Sequence, residues 1–162
     1  MEKVATRLQG RPVVAGEAAG PALVTRQAIN FTAAMCKPAN LLPGRKAQMW
    51  DGHHELYKAY LDGVVLVFPA CIGSTHTGLV LLDLVAMGKG PAALLVQDAD
   101  SLLVSGVALA ETWYQRSIPI IELPGEDLFE HIATGVAVQV SRDGLISVSH
   151  SSEKNGHVRG TA

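Results

Sequence analysis

The sequence predicts a single layered α/β domain with β/β/α architecture, and three observations support this prediction. Residues 11–29 contain short apolar pieces separated by Gly and Pro, a pattern typical of tightly joined strands. From residue 64 onward, apolar runs of strand length alternate with runs of helix length, which indicates parallel βαβ units. Near the end, two alternating runs flank Arg142-Asp143-Gly144, and Asp-Gly is a strong signal for a hairpin turn.

The predicted elements follow from these patterns in chain order. After the two or three strands of residues 11–29, we expect a long, mostly irregular segment over residues 31–62 (hereafter the excursion), because it has no clean period and contains Pro38, Pro43 and Gly44. Strands are then predicted at 64–68, 92–96 and 118–123, helices at 74–87, 102–113 and 126–132, and hairpin strands at 136–140 and 145–148. We expect one domain over residues 1–150 and a flexible, polar tail over 151–162.

Composition excludes several classes of function. The chain is 48% apolar and 17% charged, which predicts a globular protein with a full core. Its net charge is −2 with no basic stripe, so nucleic-acid binding has no electrostatic support. Apolar runs are too short for a membrane span and the start has no signal-peptide pattern, so we expect a cytoplasmic protein without a membrane partner. Cys36 and Cys71 form no CxxC pair, which favours reduced thiols.

The turn Gly73-Ser74-Thr75-His76 is the most informative motif for chemistry. It lies between an apolar run of strand length and one of helix length. A turn at this place leaves backbone N–H groups and a hydroxyl at the positive end of a helix dipole. Such a turn can hold an anion or favour the deprotonated form of a hydroxyl. Ser74 as a simple helix N-cap is the alternative interpretation.

The order of several motifs resembles the small, swivelling domain of the aconitase superfamily, specifically the small subunit of aconitase X. The resemblance covers roughly residues 10–148. It is carried by residues 10–24, Asp51-Gly52-His53-His54-Glu55-Leu56, residues 61–69, Gly73-Ser74-Thr75, Gly90-Pro91-Ala92-Ala93, residues 105–110 and Ile118-Pro119-Ile120-Ile121.

This resemblance implies a swivelling β/β/α domain, like the C-terminal domain of aconitase, that works in a complex with a large subunit. It implies a hydro-lyase that dehydrates a small hydroxy acid, with iron or an iron–sulfur cluster on the large subunit and none bound by this chain. Ser74 matches the family's catalytic base, with Gly73, Thr75 and His76 as substrate-binding neighbours. Relatives act on cis-3-hydroxy-L-proline or on mevalonate 5-phosphate. We expect the former, because relatives usually place Gly and a basic residue where this chain has Cys71 and Ile72, and a phosphate dianion depends on paired cations.

Two other interpretations of the motif remain open. The sequence around His76 is similar to the phosphohistidine loop of phosphoenolpyruvate-utilising enzymes, which use a similar swivelling body, although the spacing differs. Alternatively, the substitutions at Cys71 and Ile72 favour a binding module that keeps the fold without the chemistry.

The remaining candidate residues favour structural roles. His53 and His54 are adjacent, and without a third ligand at suitable spacing they predict a surface or subunit-contact role rather than a metal site. Arg11, Arg26 and Arg116 are possible anion-binding side chains, but a solvated surface is the preferred interpretation for each.

Overall fold

The structure, a computed structural model, describes residues 5–73 and 75–150. Eight strands form one continuous sheet in the order β1-β8-β7-β3-β4-β5-β6-β2. The strands are β1 (Ala5–Gln9), β2 (Arg11–Val14), β3 (Ala18–Val24), β4 (Val65–Phe68), β5 (Ala93–Val96), β6 (Ile120–Glu122), β7 (Ala137–Val140) and β8 (Leu145–Ser149).

Strand β3 joins two differently built halves of the sheet. Its first half pairs antiparallel with β7, from Ala18 to Pro21, and its second half pairs parallel with β4, from Ala22 to Val24. In the antiparallel half, β7 pairs with β8, and β8 pairs with β1 at the edge. In the parallel half, β4, β5 and β6 run parallel to one another, and β2 lies at the outer edge, antiparallel to β6. Strand β3 therefore belongs to both halves.

Alternate side chains of the parallel strands pack in two different cores, one on each face of these strands, and this arrangement produces the β/β/α layers. Val65 and Val67 of β4 pack in a core with antiparallel-half residues such as Val138 and Ile146. Leu66 of the same strand packs in a second core with the helices. Because successive side chains of a strand point to opposite faces, the parallel layer is covered on both sides.

Within residues 5–73 and 75–150, five helices accompany the sheet, and the two longest cover the parallel half. They are α1 (Phe31–Met35), α2 (Pro38–Leu41), α3 (Thr77–Ala86), α4 (Ser101–Tyr114) and α5 (Asp127–His131). Helices α3 and α4 approach each other closely at Gly78 and Gly106, since a Cβ on Gly106 would collide with the carbonyl oxygen of Gly78. This contact holds the amino-terminal turn of α3 against α4.

Polar side chains order the excursion and attach it to the rest of the domain. The Asn40 side chain is 1% exposed, and its Oδ1 accepts a hydrogen bond from the Gln48 N–H at 2.9 Å. The Asp62 carboxylate accepts from the Ala47 N–H at 2.8 Å and from the Gly90 N–H at 2.6 Å. Side chains therefore satisfy part of the backbone groups of this irregular segment, and backbone contacts such as Leu61 N–H to the Ala47 carbonyl, at 2.9 Å, satisfy others.

Most predicted elements are confirmed, with three corrections. Two short helices, α1 and α2, lie in the excursion, which is predicted to be mostly irregular. The helix predicted from residue 74 begins at Thr77, and its N-cap is His76. Strand β1 was not predicted at all. The tail predicted over 151–162 lies outside the described residues. Within the part of the chain that the structure describes, no helix has the length and apolar character needed to cross a bilayer.

Candidate active site

The carboxyl ends of four neighbouring strands, β3 to β6, lie along one edge of the parallel half. In open parallel sheets, ligands bind in the crevice outside this edge. The segment between β4 and α3, residues 69–76, carries the predicted motif and leaves the sheet here. We therefore build the candidate site around this segment.

Gly73 gives the turn its conformation. Its φ is +96°, in the left-handed region that favours glycine. A Cβ at this position would also collide with the side-chain amide of Asn30. Asn30 is itself fixed, because its Oδ1 accepts a hydrogen bond from the Ala33 N–H at 3.2 Å and so caps α1. Both the backbone and the space at position 73 therefore require glycine.

Backbone hydrogen bonds attach the turn to its neighbours on both sides. The Ile29 N–H donates to the Ala70 carbonyl at 3.1 Å, and the Ile72 N–H donates to the Ile29 carbonyl at 3.0 Å. On the other side, the Pro69 carbonyl accepts from the N–H groups of Gln97 and Asp98, both at 3.0 Å. The turn is thus held in place by the segments that follow β3 and β5.

Ser74, the predicted base, lies outside the described residues, but its chain neighbours are described. Gly73, Thr75 and His76 are all exposed, whereas Thr77 is 1% exposed. His76 has helical dihedral angles as the N-cap of α3. The three predicted substrate-binding residues therefore share an accessible stretch directly before the positive end of a helix.

The amino terminus of α4 lies beside the same turn. Its N-cap is Asp100, whose Oδ1 accepts a hydrogen bond from the Leu103 N–H at 2.8 Å. Burial, and to a smaller extent the Asp100 carboxylate, raises the pKa of the Cys71 thiol. Cys71 therefore remains a protonated thiol and a poor nucleophile.

A carboxylate not anticipated from the sequence is held at the end of β3. The Thr25 hydroxyl, 2% exposed, donates a hydrogen bond to Glu55 Oε1 and accepts one from the Gln27 N–H at 3.0 Å. The Gln27 side-chain oxygen accepts from the Glu55 N–H at 3.0 Å. These contacts fix the Glu55 side chain at the candidate edge. Spacing along the chain gave no signal for this group, because Glu55 comes from the excursion.

The three arginines considered as anion-binding residues are already engaged within the chain. Arg11 forms an ion pair with Glu122 at 2.5 Å, and Arg26 pairs with Glu126 at 2.7 Å. Arg116 donates to the carbonyl of Ala86 at 2.9 Å. The Ala99 N–H and the Arg11 guanidinium hold the pKa of Glu122 below its usual range, so Glu122 remains a carboxylate that neutralises its partner.

The two adjacent histidines differ in environment, which corrects the prediction that both lie at the surface. His53 is exposed, whereas His54 is 7% exposed. His54 Nδ1 accepts a hydrogen bond from the Leu56 N–H at 3.1 Å. Its Nε2 has no hydrogen-bond partner among the described residues. The two adjacent rings therefore lie in different environments.

An iron–sulfur cluster does not fit the thiols of the described residues. Iron–sulfur ligands are thiolates, but Cys71 is held in its thiol form and Cys36 is an exposed residue at the end of α1. Within residues 5–73 and 75–150, the only group of three or more potential ligands is Asp127, Glu130 and His131 on the surface of α5. That helix packs in the core on the opposite side of the parallel layer from α3.

Comparison with known proteins identifies similar chains. A family model for the aconitase X swivel domain matches residues 7–148. The cis-3-hydroxy-L-proline dehydratase of Hypocrea jecorina is 33% identical over 125 residues, which cover 77% of this chain and 20% of that protein. The chain thus spans a small part of that relative's length.

A second relative is similar to this chain over most of its own length. The phosphomevalonate dehydratase small subunit of Archaeoglobus fulgidus is 32% identical, with 82% of this chain and 90% of that protein covered. The crystal structure of Thermococcus kodakaraensis aconitase X in its holo-form superposes with a TM-score of 0.73 at 25% identity, covering 88% of this chain and 98% of that one.

Proposed function

Because this chain belongs to the aconitase X swivel-domain family, we propose that it is the small subunit of a hydro-lyase that dehydrates a small hydroxy acid. The observation that carries the proposal is the Gly73 turn: a left-handed glycine packed on Asn30, at the carboxyl edge of the parallel strands and just before α3. Relatives of similar length are named small subunits, which supports a larger partner. The iron or iron–sulfur cluster is then held by that partner, and this chain contributes its own groups.

In this proposal, Ser74 is the base that takes a proton from the carbon next to the substrate carboxylate. The electrons of that C–H bond form the double bond while the neighbouring C–O bond breaks. The departing hydroxide takes up one proton to leave as water, which balances the proton that Ser74 accepts and later gives up. A free serine hydroxyl is too weak a base for this step. The positive amino terminus of α3 lowers the free-energy cost of forming the Ser74 alkoxide. Gly73, Thr75 and His76 bind the substrate beside it.

We propose cis-3-hydroxy-L-proline as the substrate, in preference to mevalonate 5-phosphate. The Ile72 side chain, next to Gly73, is 55% exposed and apolar. Arg11 and Arg26, at the same edge, are paired with carboxylates. A phosphate dianion needs paired cations for tight binding, whereas the amino acid carries its own ammonium group. The names of relatives include both activities.

The test is reconstitution with the aconitase X large subunit of the same organism under anaerobic conditions with iron. We expect dehydration of cis-3-hydroxy-L-proline by the complex, slower dehydration of mevalonate 5-phosphate, and no turnover by this chain alone. Preference for the phosphorylated substrate would overturn the substrate proposal and leave the hydro-lyase. A stable complex without turnover of either compound would instead support a non-catalytic binding module, the alternative that Cys71 and Ile72 favour.

The substitution Ile72→Arg is expected to shift this preference toward the phosphorylated substrate. One charge-assisted hydrogen bond to phosphate contributes about 1.5–3 kcal/mol, so kcat/KM for mevalonate 5-phosphate should rise about tenfold or more. Ile72→Gln, which adds polarity and length without charge, is the matched control. Equal kcat/KM values for the two variants on both substrates would show that position 72 does not contact the substrate.

A further inference from the structure

A mixed basic and apolar surface lies at the edge of the sheet opposite the candidate site. It consists of Leu41, Arg45, Lys46, Tyr60, Met87 and Tyr114, and is called here the basic–apolar surface. Tyr60 precedes β4 and Met87 follows α3, so these residues lie toward the amino ends of the parallel strands. Helix α3 has ten residues, which places Met87 about 15 Å from the Gly73 turn along the helix axis.

Helix α2 separates this surface into two adjoining concavities. One, of about 430 Å³, is lined by Arg45, Lys46, Trp50 and Tyr60, with Asn40 beneath them. The other, of about 420 Å³, is lined by Leu41, Asp83, Ala86, Met87 and Tyr114. The two concavities adjoin, because Asn40 of α2 lines the first and its chain neighbour Leu41 lines the second.

The helix between the two concavities is anchored in position. The Lys89 ammonium group, from the loop after α3, donates to the carbonyls of Asn40 at 2.8 Å and Leu42 at 2.5 Å. Helix α2 is therefore anchored to the loop after α3 before any partner binds.

Apolar exposure on this surface is high. Tyr60 is 58% exposed, Tyr114 is 55% exposed and Leu41 is 46% exposed. Contiguous exposed apolar groups framed by polar residues are typical of interaction sites.

The basic–apolar surface carries two cations, Arg45 and Lys46, against one carboxylate, Asp83, although the chain as a whole has a net charge of −2. Residues 31–50 contain Lys37, Arg45 and Lys46 and no acidic residue. The ion pairs within the described ranges join other arginines to Glu122 and Glu126. Arg45 and Lys46 therefore have no carboxylate partner among the residues that the structure describes, while the Lys46 ammonium lies 6.0 Å from the centre of the Tyr60 ring.

We propose that the basic–apolar surface binds the large subunit, through a segment of that partner that carries acidic and apolar side chains. The acidic groups face Arg45 and Lys46, and the apolar groups cover Leu41, Met87 and Tyr114. This inference rests on the proposed function for the identity of the partner. A site shared between two bodies opens and closes, and a contact away from the Gly73 turn keeps the subunits together when the site is open.

A second copy of this chain is a poorer occupant of the same surface. A symmetric dimer places the same patch on both sides of the interface. Arg45 and Lys46 would then approach the equivalent cations of the partner copy, and like charges across an interface are unfavourable. An acidic partner removes this repulsion.

The test compares two double variants with the same change in charge. The first variant, Arg45→Glu with Lys46→Glu, reverses the charge of the basic–apolar surface. The control, Arg7→Glu with Arg142→Glu, reverses the charge at two exposed positions on the antiparallel half. Binding to the purified large subunit is measured by titration calorimetry at two salt concentrations, and folding by thermal unfolding. We expect the first variant to raise Kd about tenfold or more and to reduce its salt dependence, while the control changes Kd by about twofold or less.

Each result has a definite meaning for the surface. Unchanged binding of the first variant, or equal weakening by both variants, would overturn the proposal, and so would a wild-type chain that does not bind the large subunit. A wild-type dimer that the first variant dissociates would identify a second copy as the occupant and also overturn it. A complex that lacks turnover, yet is weakened selectively by the first variant, would refute the proposed hydro-lyase and leave the docking surface supported.

Discussion

Replacing Ser74 with alanine is expected to lower kcat of the reconstituted complex about 10²–10⁴-fold, the usual contribution of a positioned general base. The described neighbours of Ser74 explain the expectation. Gly73 has the left-handed conformation and is packed on Asn30, and Thr77 is buried at the start of α3. Burial raises the pKa of the Cys71 thiol, so this sulfur does not replace the removed hydroxyl as a base.

Ser101→Ala is the matched control for this prediction. Ser101 is an exposed serine at the start of α4, on the same edge of the sheet, and it has no role in the proposed chemistry. Activity of that variant should equal that of the wild type, and gel filtration should show that both variants still assemble. If Ser74→Ala retains full turnover in an intact complex, Ser74 is not the base.

The elements predicted correctly are those whose signal lies within one segment. The apolar run that becomes β4 is entirely buried, and the run that becomes α4 begins at Asp100, an N-cap that bonds the Leu103 N–H. Strand β1 has no such run, since Thr6, Arg7 and Gln9 alternate with few apolar residues. It is an edge strand defined by its pairing with β8, and pairing between distant segments is not encoded in local composition.

The candidate site could be predicted only where its signals are local in the sequence. Glycine at position 73 and the following helix are local features and indicated the turn. Asn30 was not anticipated, although an asparagine directly before a helical segment is a recognisable N-cap signal. The contact of Thr25 with Glu55 joins residues thirty positions apart, and the excursion brings them together only in the folded chain. Long-range polar contacts of this kind need the structure.

Replacing Gly106 with alanine is expected to destabilise the domain by about 2 kcal/mol or more, because overpacking a tight contact typically costs about 1–3 kcal/mol and this contact involves backbone. Helix propensity alone predicts the opposite sign, since alanine in a helix interior is about 1 kcal/mol better than glycine. The added Cβ would collide with the Gly78 carbonyl oxygen, which belongs to the first turn of α3 and cannot move without shifting that helix. For a domain of this size, 2 kcal/mol corresponds to a fall in Tm of about 4–8 °C.

The same substitution connects the packing of α3 to the candidate site. A shift of the α3 amino terminus displaces the Gly73 turn, and small misplacements of catalytic groups lower turnover strongly. We therefore expect Gly106→Ala to lower kcat of the reconstituted complex even at temperatures where the domain is folded. Gly52→Ala is the control, because a Cβ at Gly52 meets open space and its backbone does not require glycine. If thermal unfolding shows a higher Tm for Gly106→Ala, the two helices do not approach as closely as the structure indicates, and α4 does not position the turn.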